Sequence, residues 1–229
     1  MVRVTVGVAL SLLLSQFNGW GGIFSNSAVE LNVPARKVSS LDRSRTIRLV
    51  ESGDVASLEV IASGNRRLGA VEIGVNAEVA WSLDSKAFFV TYSDGGNVGT
   101  YHVKVVYVTN AGLRVIEPVA DGSILLRPKC FDQEIPNVGA IKWIGRDSSR
   151  LLIAVEVPPH SNCANLGTFR AFEIALSKGE VIESFSQMEA KKAFGGDLGQ
   201  ELTGADDKCF LRPFSCVPAG MDSSVRLAK

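Results

Sequence analysis

Histidine is nearly missing from this 229-residue chain: His102 and His160 are the only two. A two-histidine metal site would need both to converge, and nothing in their spacing brings them together. No surplus of charge is present either, because 24 Lys and Arg stand against 24 Asp and Glu. A nucleic-acid binder normally shows a basic stripe or excess, so this balance excludes that class. The usual catalytic signatures are missing as well. There is no G-x-S-x-G elbow, no phosphate-binding G-x-x-x-x-G-K-[ST], no G-x-G-x-x-G and no H-E-x-x-H. No cofactor and no metal are expected on this evidence. The 46% hydrophobic and 21% charged composition is that of a folded chain rather than a disordered one.

What is present begins with a targeting pattern. Arg3 supplies a short positive region, and Val4–Leu14 is an uncharged, largely apolar run too short to span a bilayer. Ser25 and Ser27 place small residues three and one before Ala28. Residues 1–27 are therefore read as a secretory signal cut before Ala28. The mature chain is expected outside the cytoplasm, periplasmic or extracellular, with no membrane span after cleavage. In that setting Cys130, Cys163, Cys209 and Cys216 are expected to form two disulfides. No Cys lies in a C-x-x-C pair. Four cysteines allow three pairings, of which Cys209–Cys216 with Cys130–Cys163 is favoured.

The middle of the chain repeats itself. Trp81-Ser82-Leu83-Asp84-Ser85-Lys86 leads into Ala87-Phe88-Phe89-Val90, and Trp143-Ile144-Gly145-Arg146-Asp147-Ser148-Ser149-Arg150 leads into Leu151–Val155. Downstream, Asn97-Val98-Gly99-Thr100-Tyr101 matches Asn165-Leu166-Gly167-Thr168-Phe169. The Asp pair is offset by 63 positions and the Asn pair by 68, so the second copy holds five more residues. They fall in the connection around Val157–Cys163. A weaker copy, Ser40-Leu41-Asp42-Arg43-Ser44-Arg45, stands 42 positions before Asp84. About twelve short β segments separated by Gly, Asn, Asp and Ser turns follow from this reading. Their spacing predicts an all-β protein of four-stranded antiparallel meanders.

The hexapeptide Trp81–Lys86 resembles the Trp-Ser-Pro-Asp-Gly-Lys repeat of TolB-like propellers, found also in the propeller domains of prolyl-oligopeptidase-type enzymes. Leu83 replaces the usual Pro and Ser85 the usual Gly. The resemblance implies a propeller-like repeat over residues 28–185 and carries no catalytic residue with it. Three such sheets are too few to close a ring. An open partial propeller of about three blades, a homodimer that combines two chains, and a sandwich of sheets all remain open.

Ser186 and Glu189 form a candidate capping box that starts a short helix ended by Gly195-Gly196, before a cysteine-bearing tail. Candidate binding residues are Asp94 and Asn97 in one loop, and His160 and Asn162 in the matching loop of the next copy. Both loops should emerge on the same sheet edge. Asp84 and Asp147 are read as turn residues rather than as a catalytic pair. The leading functional expectation is an exported, non-enzymatic module that binds protein or envelope components. The rival is a hydrolase with its site around His160.

Overall fold

The computed structural model describes residues 22–31, 36–52, 55–95, 99–119, 125, 135–159 and 166–205. The four cysteines and the expected disulfides lie outside these residues, as do Asn97, His160 and Asn162.

Among the described residues the chain is mostly β. The first sheet is a meander of β2 (Lys37–Ser39), β3 (Arg45–Ser52), β4 (Val55–Ala62) and β5 (Arg66–Ile73). The second contains β6 (Val75–Trp81), β7 (Ala87–Ser93), β8 (Tyr101–Thr109) and β9 (Gly112–Ile116), and β1 (Val29–Glu30) adds a fifth strand beside β6. The third consists of β10 (Asn137–Trp143), β11 (Arg150–Glu156), β12 (Phe169–Ala175) and β13 (Glu180–Ser186). All the pairings are antiparallel. The four-stranded meanders expected from the repeats are thus present. Among the described residues each sheet is open at its edges.

Strands β7, β10, β11 and β12 of the second and third sheets are largely buried on both faces, and the packing explains why. Ile47, Leu58 and Val60 of the first sheet share a core with Val79, Trp81, Phe88 and Val106 of the second. Phe89 and Val105, on the opposite face of the second sheet, pack with Leu151, Ile153 and Val155 of the third. A middle sheet buried on both sides needs continuous apolar runs such as Ala87–Val90, which alternation alone would not give. Ala28 is 8% exposed and belongs to the second of these cores.

The two ends of the stack are finished differently. On the first sheet, Glu59 lies between inward-facing Leu58 and Val60, so its side chain takes the outer face. There it pairs with Arg48 and with Arg67, the latter at 2.7 Å. At the other end, α1 (Gln187–Phe194) and α2 (Gln200–Gly204) cover the outer face of the third sheet, burying Ala190 and Leu202 against Leu152, Ala154 and Phe169. The capping box at Ser186 and Glu189 is formed, and Gly195 closes the helix.

Residues 22–27, placed in the leader by the sequence pattern, run with Ala28 as a strap through this end of the fold. Phe24 is fully buried in the core beneath the helices, with its ring edge-on to Tyr101 at 5.1 Å. Gly199, Gln200 and Glu201 donate their N–H groups to the carbonyls of Phe24, Gly22 and Ile23. The backbones meet so closely that a Cβ on Gly199 would stand 2.4 Å from the Gly22 and Ile23 oxygens. Glycine is needed there to let α2 begin against the strap.

Candidate functional site

The repeated motif is a device for joining sheets. In the first copy the Ser40 hydroxyl bonds Asp42 at 2.6 Å and accepts the Arg45 N–H at 3.0 Å. In the second the Ser82 hydroxyl does the same to Asp84 at 2.7 Å and to the Ala87 N–H at 3.1 Å. In the third, Asp147 accepts from the Ser149 N–H and hydroxyl. Links then pass between sheets: the Asp42 N–H donates to the Ser85 hydroxyl, and the Ser148 hydroxyl donates to Asp84. Trp81 sends its indole N–H to the Val38 carbonyl of the first sheet, and Trp143 sends its own to Ala80 of the second, each at 3.2 Å. The matching position of the first copy is Ser39, a serine where the later copies carry the indole that reaches the preceding sheet.

These contacts place the ionisation of the turn carboxylates well on the acid side. The Ser40 hydroxyl, then the Ser44 N–H and hydroxyl, hold Asp42 down at about 2. Partial burial opposes ionisation of Asp84, but Ser82, the Lys86 N–H and charge, and Ser148 together keep it below the ordinary value. Bonds from Ser149 lower Asp147. Arg43 and Ser85 follow Asp42 and Asp84 at φ of +58°, a left-handed conformation that favours glycine. Replacing Trp81 or Trp143 with Phe is expected to cost about 1–2 kcal/mol each, through one lost hydrogen bond and a thinner contact between sheets. Urea unfolding of the two single variants checks this.

Between the second and third sheets, the turn edge carries an open cleft of about 540 Å³, lined by Asp84, Lys86, Tyr107, Arg114, Asp147 and Ser148. Its groups are already engaged with one another. Tyr107 donates to the Ser148 carbonyl at 2.8 Å, and Arg114 lies over the Tyr107 ring at 4.5 Å. Asp84 and Asp147 belong to corresponding turns of neighbouring sheets, as the repeat requires.

The opposite edge is built differently. On the turn edge, neighbouring strands are joined by the tight turns 82–86, 110–111, 144–149 and 176–179. At the other edge lie the strand ends that are separated in sequence by the longer stretches 94–100, 117–136 and 157–168. Asp94 sits at the start of the first of these. Its carboxylate accepts the Thr100 N–H at 2.7 Å and faces His102 Nε2 at 3.6 Å. Strand pairing sets His102 directly opposite Tyr92, with ring centroids 5.8 Å apart, and Lys104 covers the same tyrosine at 4.8 Å. Tyr92, Asp94, His102, Val103, Glu117 and Val119 line a cleft of about 320 Å³. Among the described residues no hydroxyl hydrogen-bonds His102, and no group of three His, Cys, Asp or Glu side chains is placed to hold a metal ion.

Of the sequence candidates, then, only Asp94 falls within the described residues, and it lies in a cleft. His102, Tyr92 and Glu117 were missed. His102 joins Tyr92 only through the pairing register of β7 with β8, which a seven-residue connection does not dictate.

No protein-family model matches this chain, and no curated protein matches it.

Proposed function

We propose that this chain is an exported, non-enzymatic, propeller-like module that binds a protein or envelope component through the edge bearing the long connections. The observation that carries the reading is the difference between the two edges. The turn edge is consumed by staples between sheets, whereas at the opposite edge the strands of the second and third sheets are separated by the long sequence stretches. Rigid sheets that present irregular loops on one side are the usual support for a recognition surface. The cleft there offers the carboxylates of Asp94 and Glu117, the imidazole of His102 and the tyrosine ring of Tyr92. That set suits a protein segment that presents a basic side chain beside an apolar one.

Face-to-face sheets joined by Trp81 of β6 and Trp143 of β10 also support the propeller-like reading over a two-sheet sandwich. The two ends of the stack differ, one carrying the charged Arg48–Glu59–Arg67 pairs on its outer face and the other covered by helices, so neither presents a bare apolar sheet face to a further blade.

The test is capture of partners from envelope extract by wild type and by the Asp94→Ala/His102→Ala double variant. Capture of the specific partner should fall at least tenfold, the effect of losing interface groups worth about 1.4 kcal/mol or more, with Tm unchanged. Equal capture by both proteins would contradict the placement of the face. Turnover of ester or peptide substrates that depends on His160 would favour the hydrolase instead.

A further inference from the structure

The strap covers a carboxylate with one oxygen unaccounted for. Glu78 lies in β6 and is fully buried. Its Oε1 accepts the Phe24 N–H at 3.1 Å, while Oε2, also buried, has no hydrogen-bond partner among the described residues. Burial pushes this carboxyl up to about 8. The N–H groups of Phe24, Ile23 and Ser25 oppose the shift, and the Glu30 charge adds to it. A buried carboxylate oxygen without a partner is costly, and such groups normally have a counter-charge.

The backbone of Gly22 lies directly against that oxygen. A Cβ at this position would stand 2.2 Å from Glu78 Oε2 and 2.5 Å from the Ser25 carbonyl, so only glycine fits. A cut before Ala28 would remove Gly22, the buried Phe24 ring, the carbonyls that receive the first N–H groups of α2, and the Ser25 hydroxyl, which donates to Ile141 at 2.5 Å. Upstream of Ala28 the sequence has a second small-x-small triplet, Gly19-Trp20-Gly21, which would direct a cut before Gly22.

We propose that the leader is removed between Gly21 and Gly22, and that the new α-ammonium group of Gly22 is the counter-ion of the buried Glu78 carboxylate. A signal-type endopeptidase adds water across that peptide bond. The Gly21 carbonyl carbon takes the water oxygen and becomes a carboxylate, and both water protons end on the Gly22 nitrogen. Processing then creates the positive charge at the place where the fold has a buried negative one. The strap stays with the mature protein and is locked by its own first residue. The assignment rests on the export reading above.

The experiment is amino-terminal sequencing of the full chain recovered from an export-competent host, followed by acetylation of its α-amine with a succinimidyl ester. The expected sequence is Gly22-Ile23-Phe24. In the folded protein its amine should acetylate at least tenfold more slowly than in Glu78→Gln or in wild type unfolded in urea. A mature chain that begins at Ala28 and is folded would overturn the boundary while leaving export intact. A chain that still begins at Met1 after export conditions would overturn both. An amine equally reactive in native and unfolded wild type would overturn the ion pair.

Discussion

Phe24→Ala should destabilise the protein by about 3–5 kcal/mol, the range for truncating a fully buried Phe. The ring has no exposure, packs with Ile141, Leu152 and Leu198, and meets Tyr101 edge-on. The fold leaves little room to collapse into the space, because the strap is bonded on both sides: to Glu78 of β6 through the Phe24 N–H, and to Gly199 through the Phe24 carbonyl. In a domain of this size the loss corresponds to a Tm drop of roughly 10 °C. Urea unfolding should show a lower midpoint at an unchanged slope. Gly139 supplies the control. A Cβ there would stand 2.0 Å from the Phe24 ring, so Gly139→Ala alone should overpack the site and destabilise it. In the Phe24→Ala background the same change enters a vacated space, and much of its cost should vanish. A loss below about 1 kcal/mol for Phe24→Ala would mean that the strap is not part of the core.

The second large effect is on pH dependence. Glu156 ends β11 with 1% exposure. Burial pushes its carboxyl up to about 8. The Asn137 amide, which donates to it at 3.0 Å, opposes the shift, and the neighbouring Glu201 carboxylate reinforces it. An unfolded glutamate loses its proton near 4.5. Between these values the folded chain holds a proton that the unfolded chain has released, so stability falls as pH rises. It is full below about pH 4.5 and declines toward pH 8. The slope for one such group approaches about 1.4 kcal/mol per pH unit. From pH 5 to pH 8 wild type should therefore lose stability on the order of a few kcal/mol from the Glu156–Glu201 pair, which titrates together. Glu156→Gln keeps an acceptor for Asn137 and has no proton to lose, so its stability should fall by that much less over the same interval. Parallel profiles for the two proteins would place the charge of Glu156 in solvent. Glu78 contributes with the same sign wherever no cation lies against it.

The legible part of the fold came from local chemistry repeated along the chain. Each Asp-Ser turn is closed by its own side chains, so Asp42, Asp84 and Asp147 could be aligned without knowing what the sheets pack against. The capping box at Ser186 was readable for the same reason, since its partners lie within one helical turn. The strap was not readable. Gly22–Ala28 is short, uncharged and follows an apolar run, which is also how the end of a leader looks, and its burial depends on partners at Glu78, Ile141 and Gly199. Glu78 and Glu156 were also hidden. A glutamate flanked by apolar strand residues suggests a solvated face, but here the neighbouring sheet and the helices cover that face. At the candidate site Asp94 was legible as a turn residue. Glu117 was not, because it joins the cleft only through the return of β9 beside β8.

The most direct test of the binding face is site-specific photo-crosslinking in the exported protein. A benzophenone side chain is placed at His102 on the long-connection edge or at Thr109 on the turn edge. Crosslinks to an envelope or extracellular protein should form from position 102 and not from position 109. Crosslinks from position 109 alone, or from both positions equally, would contradict the assignment of the face.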